Sequence, residues 1–276
     1  MTFSLKFIRK KHYNRQRKNL KENFGLDMDD WFKNPYSCLK ARLYMEAASI
    51  LVFIVQNTKV TPNFLSLIYV FLGATGGIFL ASNNQNLILI SLIVFFSKDL
   101  FDWSDGLLAR LTKQTSELGG LLDNWGAQVG AYSFLCGLGI YLYHKNGEEH
   151  FAALAIIIVL IKSLDLKKYA YENTMHKIFH SKTKTIVKNI NHTKRKDKDK
   201  FGLSNNFYFI RNFIVNFLDN RSRTTDFICL LIFIDTLYIN VVLLNYIYYL
   251  IFLRAFVLFC GGFYITYFKN FLKKLK

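Results

Sequence analysis

Three aspartates, Asp102, Asp105 and Asp123, and one arginine, Arg110, stand inside or at the ends of apolar blocks of the sequence. A carboxylate at bilayer depth is costly unless it is paired, hydrated or bound to a cation, so such residues are functional candidates first. On a helix the i, i+3 spacing of Asp102 and Asp105 sets both on one face. The polar turn over 112–117 folds the following block back and brings Asp123 toward the same depth. Three converging carboxylates make a hard-oxygen site suited to Mg²⁺, Mn²⁺ or Ca²⁺. Gly106, Ala109 and Gly119 leave room for a ligand to approach the backbone, and Arg110 supplies a permanent cation one turn from Asp105, available to a phosphate. Together these residue types point to phosphoryl-group chemistry at a membrane surface. A buried ion-pair cluster tying two helices together explains neither three acids for one Arg nor the small residues between them.

The elements that must position these groups are apolar blocks. The chain has 276 residues, of which 52% are hydrophobic and 17% aromatic, with two Pro, and its 36 Lys+Arg against 19 Asp+Glu give a formal charge of +17. Blocks at 64–81, 87–111, 118–143, 151–164, 227–244 and 246–268 read as membrane-spanning helices, for which about 20 mainly apolar residues are needed, although the fourth is short. The expected fold is all-α: a polytopic membrane protein of six transmembrane helices with an N-terminal interfacial helix. That helix is the run 43–55, which contains Glu46 and is too short to span. Residues 1–58 form the basic N-terminal region and interfacial helix. Residues 59–276 form the transmembrane domain, interrupted by a basic insertion over about 165–225 that carries Lys194–Lys200 and an amphipathic stretch at 207–218.

Connections rich in Lys and Arg alternate with connections that have almost none, which places both termini and the aspartates on the cytoplasmic side. The excess positive charge suits anionic membrane lipids, with which the N-terminal residues either lie in contact or form a basic tail; nucleic acid is not an expected partner. These figures exclude a collagen-like, disordered or disulfide-rich secreted chain. Cys38, Cys136, Cys229 and Cys260 have no zinc-ligand or redox spacing and read as reduced thiols.

The run Asp102-x2-Asp105-Gly106-x2-Ala109-Arg110-x8-Gly119-x3-Asp123 resembles the signature of the CDP-alcohol phosphatidyltransferases, with seven fixed positions at the right gaps. Thr61-Pro62-Asn63-Phe64-Leu65-Ser66 is similar to a second element of that family, and the likeness covers about 61–139. The resemblance implies a six-helix membrane enzyme of phospholipid biosynthesis, often a homodimer. Such an enzyme transfers a phosphatidyl or phospho-alcohol group from a CDP-linked donor such as CDP-diacylglycerol to a hydroxyl acceptor, with release of CMP. It further implies that Asp102, Asp105 and Asp123 hold Mg²⁺ or Mn²⁺, and that Asn63, Ser66, Gly106, Ala109, Arg110, Ser116 and Gly119 contact the CDP moiety.

The sequence departs from the signature at Ala127, where the family has a fourth Asp that completes a second metal site and acts as general base. Asp99, one turn before Asp102, and Gln128 are the nearby substitutes, and Gln128 cannot take a proton. Two readings follow: a transferase with a depleted two-metal site, or a catalytically silent homologue that binds CDP-lipid or partner proteins. A transporter, for which intramembrane charges also speak, fits the motif spacing less well. His176 and His180, at i, i+4, read as a solvated surface, and Asn191 as an unused glycosylation pattern. Asp235 and Arg254 are expected at equal depth, hence as an ion pair or with Arg254 turned into the polar site, if the chain turns near Asn245.

Overall fold

The computed structural model describes residues 3–24, 27–33, 35–164, 222–237 and 240–267. The described elements are helices: α1 (Leu5–Phe24), α2 (Met28–Phe32), α3 (Pro35–Val55), α4 (Pro62–Leu80), α5 (Gln85–Leu111), α6 (Glu117–Asn146), α7 (His150–Ser163), α8 (Ser222–Thr236) and α9 (Leu243–Tyr267). No strand occurs among the described residues. The insertion expected between α7 and α8, with His176, His180, Asn191 and the 194–200 run, and the basic tail from 269 lie outside them. None of the four cysteines forms a disulfide.

Each of the six expected spans contains a helix, and two of these, Pro62–Leu80 and Leu243–Tyr264, are long and apolar enough to cross a bilayer by composition alone. The acids and bases of α5 that matter for the site are what disqualify it from the same test. Helix α7 is apolar but shorter. Outward positions on these helices are large and hydrophobic, such as Phe71 and Ile78 on α4, Ile93 on α5 and Phe256 and Val257 on α9. A face of that kind suits lipid and would be unusual in water.

Two compact units lie within Met1–Gly147 and within Glu148–Asp235 with Ile239–Lys276. In the first, local chemistry starts each helix. Pro62 occupies the first turn of α4, where its missing N–H costs nothing, and the Thr61 hydroxyl accepts the Phe64 amide at 3.3 Å. Asn84 caps α5 by accepting from Asn86 N at 2.9 Å, and Ser116 caps α6 by accepting from Gly119 N at 3.0 Å. Between α5 and α6, Lys113 takes a left-handed φ of 58° and Gln114 N donates to Ala109 O at 2.8 Å, which closes the turn that reverses the chain.

Helices α4 and α6 cross at unusually short range because glycine faces glycine. A Cβ on Gly73 would lie 2.9 Å from Gly130 Cα, and one on Gly137 would lie 2.6 Å from Gly77 O. Such small-residue stripes let backbones approach in a lipid setting, where burial of apolar surface gives helices little reason to associate. The Ser91 hydroxyl of α5 donates to Gly76 O of α4 at 2.8 Å, and the rings of Phe95 and Phe134 meet edge to face at 5.0 Å.

The N-terminal region is helical and packed rather than a loose basic tail. Helix α3 starts at Pro35, eight residues before the apolar run, and α1 lies against it. Glu46, the odd charge in that run, receives Arg9 Nε at 2.6 Å and the Tyr13 hydroxyl at 3.0 Å, both from α1. Ile8, Val52, Leu65, Leu107, Leu108 and Leu111 form one core cluster. It joins α1 and α3 to the first turns of α4 and the last turns of α5.

His12 is buried on α1, with Nδ1 3.4 Å from Ser49 Oγ and its ring 5.8 Å from that of Trp103 on α5. Burial, assisted by the nearby Arg15, lowers its pKa from 6.5 to about 4 against the raising effect of a hydrogen bond to the Met45 backbone. The folded state therefore holds it neutral. Its contribution to stability is complete above pH 6.5 and is lost as pH falls toward 4, because the unfolded chain binds the proton first. The difference in stability between the wild type and His12→Gln should shrink by about 2–3 kcal/mol across that interval, measured as melting temperature in detergent from pH 7.5 to 4. A pH-independent difference would contradict the burial effect.

In the second unit α7 packs on α9 through aromatic contacts. His150 stacks on Tyr249 at 5.7 Å and hydrogen-bonds its hydroxyl, and Phe151 lies 5.5 Å from the Tyr249 ring. The turn before α9 comes earlier than expected: α8 ends at Thr236, and Asn245 already lies within α9. Asp235 Oδ1 accepts the Val241 amide at 2.8 Å and so shapes that turn. Arg254 stands roughly three helical turns into α9, so the equal depth argued from a turn at Asn245 does not hold.

Candidate functional site

The site is assembled at one end of α4, α5 and α6. Helix α4 brings Asn63 and Ser66 in its first turns, where the Thr61 cap fixes the entry angle of the chain. Ser66 is buried; its hydroxyl donates to the Asp105 carboxylate and also contacts Pro62 O at 3.3 Å. Helix α6 brings Ser116, Gly119 and Asp123. A Cβ on Gly119 would meet Asn63 Oδ1 at 3.2 Å and Ser116 Oγ at 3.3 Å, so the starts of α4 and α6 touch through three of the expected CDP-contact residues. On α5 the Arg110 guanidinium folds back over Gly106, with Nη1 2.7 Å from where a Cβ would be. Ala109 is half-buried beside it.

Of the aspartates expected to hold a metal, Asp102 and Asp105 sit on α5 and Asp123 on α6. Asp102 lies near Asp123, and Asp105 and Asp99 lie within electrostatic range of Asp102. The donors are hard oxygens, Asp102, Asp105, Asp123 and the Ser66 hydroxyl, and they fit Mg²⁺ or Mn²⁺ in chemical type. Among the described residues no three His, Cys, Asp or Glu side chains are gathered into a ready-made cage, since Asp105 is turned to Ser66.

Asp99 is differently employed. Its Oδ1 lies 3.2 Å from Lys98 Nζ and its Oδ2 3.2 Å from Lys40 Nζ, so each oxygen is taken by an ammonium and α3 is tied to α5. Ala127 is exposed one turn beyond Asp123 on α6.

Two residues of this neighbourhood do not stand out in the sequence. Tyr69 is buried, with its ring where a Gly126 Cβ would be, 2.7 Å from that position, and it lies within electrostatic range of Asp99, Asp102, Asp105 and Asp123. Its i+3 offset from Ser66 on the face that continues to Gly73 and Gly77 was the available signal. Lys98 places Nζ 4.9 Å from the Tyr69 ring centre, and its place four residues before Asp102 sets it on the aspartate face.

An all-helical membrane protein with a carboxylate site at the meeting point of three helices is the class defined by the fold, the apolar helices and this geometry. Residues 59–190, a little under half of the chain, match the family model of the CDP-alcohol phosphatidyltransferases, and this segment holds the whole candidate site. The family is one of phosphatidyl transfer, a phosphotransferase class that generally works with a divalent metal, CDP-alcohol donors and alcohol acceptors. No curated protein matches the sequence.

Proposed function

We propose that this protein acts in phospholipid biosynthesis as a CDP-alcohol phosphatidyltransferase, moving a phosphatidyl or phospho-alcohol group from a CDP-linked donor to a hydroxyl acceptor. The observation that carries the reading is the convergence of Ser66–Asp105, Asp102–Asp123, Asn63–Gly119–Ser116 and Arg110 over Gly106 at one end of three helices. In it Asn63, Ser66, Gly106, Ala109, Arg110, Ser116 and Gly119 receive the CDP moiety, and Asp102, Asp105 and Asp123 are the ligands of Mg²⁺ or Mn²⁺. When bound, the cation neutralises the diphosphate and makes CMP a better leaving group. Arg110 offers two parallel N–H groups to a phosphate, and the absence of side chains at Gly106 and Gly119 lets the nucleotide approach the backbone.

In the transfer, the acceptor oxygen bonds to the lipid-side phosphorus and the bridging P–O bond to CMP breaks. The hydroxyl proton passes to a base or to water. With Ala127 at the family base position and both Asp99 oxygens held by lysines, neither of these two positions offers an unengaged carboxylate for that proton. This favours a second reading in which the chain binds CDP-lipid without turnover. The membrane arrangement that goes with either reading has six spans with both termini and the site cytoplasmic.

Release of CMP from CDP-diacylglycerol, assayed with a panel of alcohols in Mg²⁺ or Mn²⁺, separates the two. Release that requires both an alcohol and the cation is the expected result for the transferase. Cation-dependent CDP binding without CMP release from any alcohol supports the silent homologue, and no CDP binding at all would refute both.

A further inference from the structure

The contacts of α4 order the site into layers. Two of them fix its register against the antiparallel α5: Ser66 meets Asp105, and a Cβ on Gly76 would lie 3.2 Å from the Phe95 ring. The same register sets Tyr69 level with Asp102, about one helical turn inside Ser66 and Asp105. Towards α6, the ring atoms Cδ1 and Cε1 of Tyr69 lie 2.7 Å from the position of a Gly126 Cβ. One turn farther in, a Cβ on Gly73 would lie 2.9 Å from Gly130 Cα, so α4 and α6 shut directly behind the tyrosine. The outermost layer is the contact of Asn63 and Ser116 with Gly119. On the buried face of α4 the polar side chains are Ser66 and Tyr69, and Tyr69 is the inner of the two.

Tyr69 is 5% exposed, yet among the described residues its hydroxyl makes no hydrogen bond. A buried hydroxyl left without a partner costs about 1–3 kcal/mol, which asks for a reason. Packing does hold the ring in place, through Gly126 and through Lys98 Nζ, which stands over it at 4.9 Å from its centre. The phenol oxygen lies within electrostatic range of Asp102, Asp99, Asp123 and Asp105, the site's own carboxylates among them. Ionised carboxylates only accept hydrogen bonds, whereas a phenol donates one without adding charge.

We propose that Tyr69 is a binding residue of this site, whose hydroxyl donates to the phosphate remote from the cytidine, the one that carries the lipid or alcohol. The inference rests on the reading of the site as a CDP site. In that reading Asn63, Ser116, Gly119 and Arg110 hold the nucleotide in the outer layers, and the donor's far end is the part that reaches the Tyr69–Asp102 layer. The close approach of Gly73 to Gly130 stops it there. A hydrogen bond from the phenol to a charged phosphate oxygen then supplies the partner that the fold itself leaves out.

The test uses the full chain in detergent with Mn²⁺ and compares CDP, which has the remote phosphate, with CMP, which lacks it, by calorimetry. Tyr69→Phe keeps the ring against Gly126 and Lys98 and removes the hydroxyl alone. CDP affinity should fall by about tenfold or more, as for loss of a hydrogen bond to a charged group, while CMP affinity stays within about twofold. The melting temperature without ligand should equal that of the wild type or exceed it, because the deleted hydroxyl has no protein partner to lose. Unchanged CDP affinity, an equal loss for CMP and CDP, or a lowered melting temperature would each overturn the inference while leaving the CDP reading in place. A wild type with no Mn²⁺-dependent CDP binding would overturn both.

Discussion

Asp105→Ala is expected to abolish cation-dependent CDP binding, with a loss of at least about a hundredfold in affinity. The carboxylate has two functions to lose. It is one of the three acids proposed to hold the cation, and it is held by the buried Ser66 hydroxyl. Removing a direct ligand should cost more than removing its partner, so Ser66→Ala is expected to fall in the range of about 10–100-fold typical of outer hydrogen-bond partners. Asp123→Ala should resemble Asp105→Ala, since Asp123 is the α6 carboxylate near Asp102.

The measurement is thermal stability in detergent with CDP, with and without Mn²⁺ and with excess chelator. A ligand at a hundred times its dissociation constant stabilises by about 2.7 kcal/mol, a shift that should appear in the wild type only with the cation and vanish in both alanine variants. Equal stabilisation by CDP in excess chelator would sink the proposed metal roles of all three aspartates.

Gly77→Ala should remove most of the folded protein, although it adds only one methyl group in the middle of an apolar helix. The new Cβ would stand 2.6 Å from the carbonyl carbon of Ser133, a backbone atom that cannot rotate away. Helices α4 and α6 would have to separate, and with them the contact of Asn63 with Gly119 and the approach of Tyr69 to Gly126. Overpacking of this kind costs about 1–3 kcal/mol where side chains can yield and more where they cannot, so we expect about 3 kcal/mol or above. Gly120→Ala is the control. It lies on α6 with nothing within 4 Å of its Cβ, and replacing a helical glycine there should stabilise by about 0.5–1 kcal/mol. Monodisperse yield and melting temperature in the same detergent compare the two. Similar behaviour of Gly77→Ala and Gly120→Ala would show that the close crossing of α4 and α6 is not what holds the site together.

What the sequence determined by itself was everything that depends on near neighbours along the chain. Helical periodicity puts Asp102 and Asp105 on one face whatever surrounds them, Thr61, Asn84 and Ser116 cap their own helices, and the gaps of the Asp102–Asp123 run carry the resemblance to the family. The apolar blocks marked where the helices lie, mostly to within a few residues, except that the helix expected over 227–244 runs from Ser222 to Thr236. Ends that depend on a single side chain were less legible. Asp235 draws the chain into a turn before Leu243, and Pro35 opens α3 well before its apolar run begins.

Only the tertiary structure decided which faces meet. Tyr69 reads as one aromatic among many until Gly126 admits its ring within electrostatic range of the aspartates, and Lys98 reads as the partner of its neighbour Asp99 until the fold brings Gly130 to its ammonium. Glu46 and His12 look like stray polar groups in helices whose partners, α1 with α3 and both with Trp103 of α5, are set by contacts between residues far apart in sequence. The physical reason is the same in each case. Hydrogen bonding within a helix is settled locally, whereas the pairing of helix faces depends on how closely two backbones can approach. Between α4 and α6 that distance is governed by glycines on both partners at once.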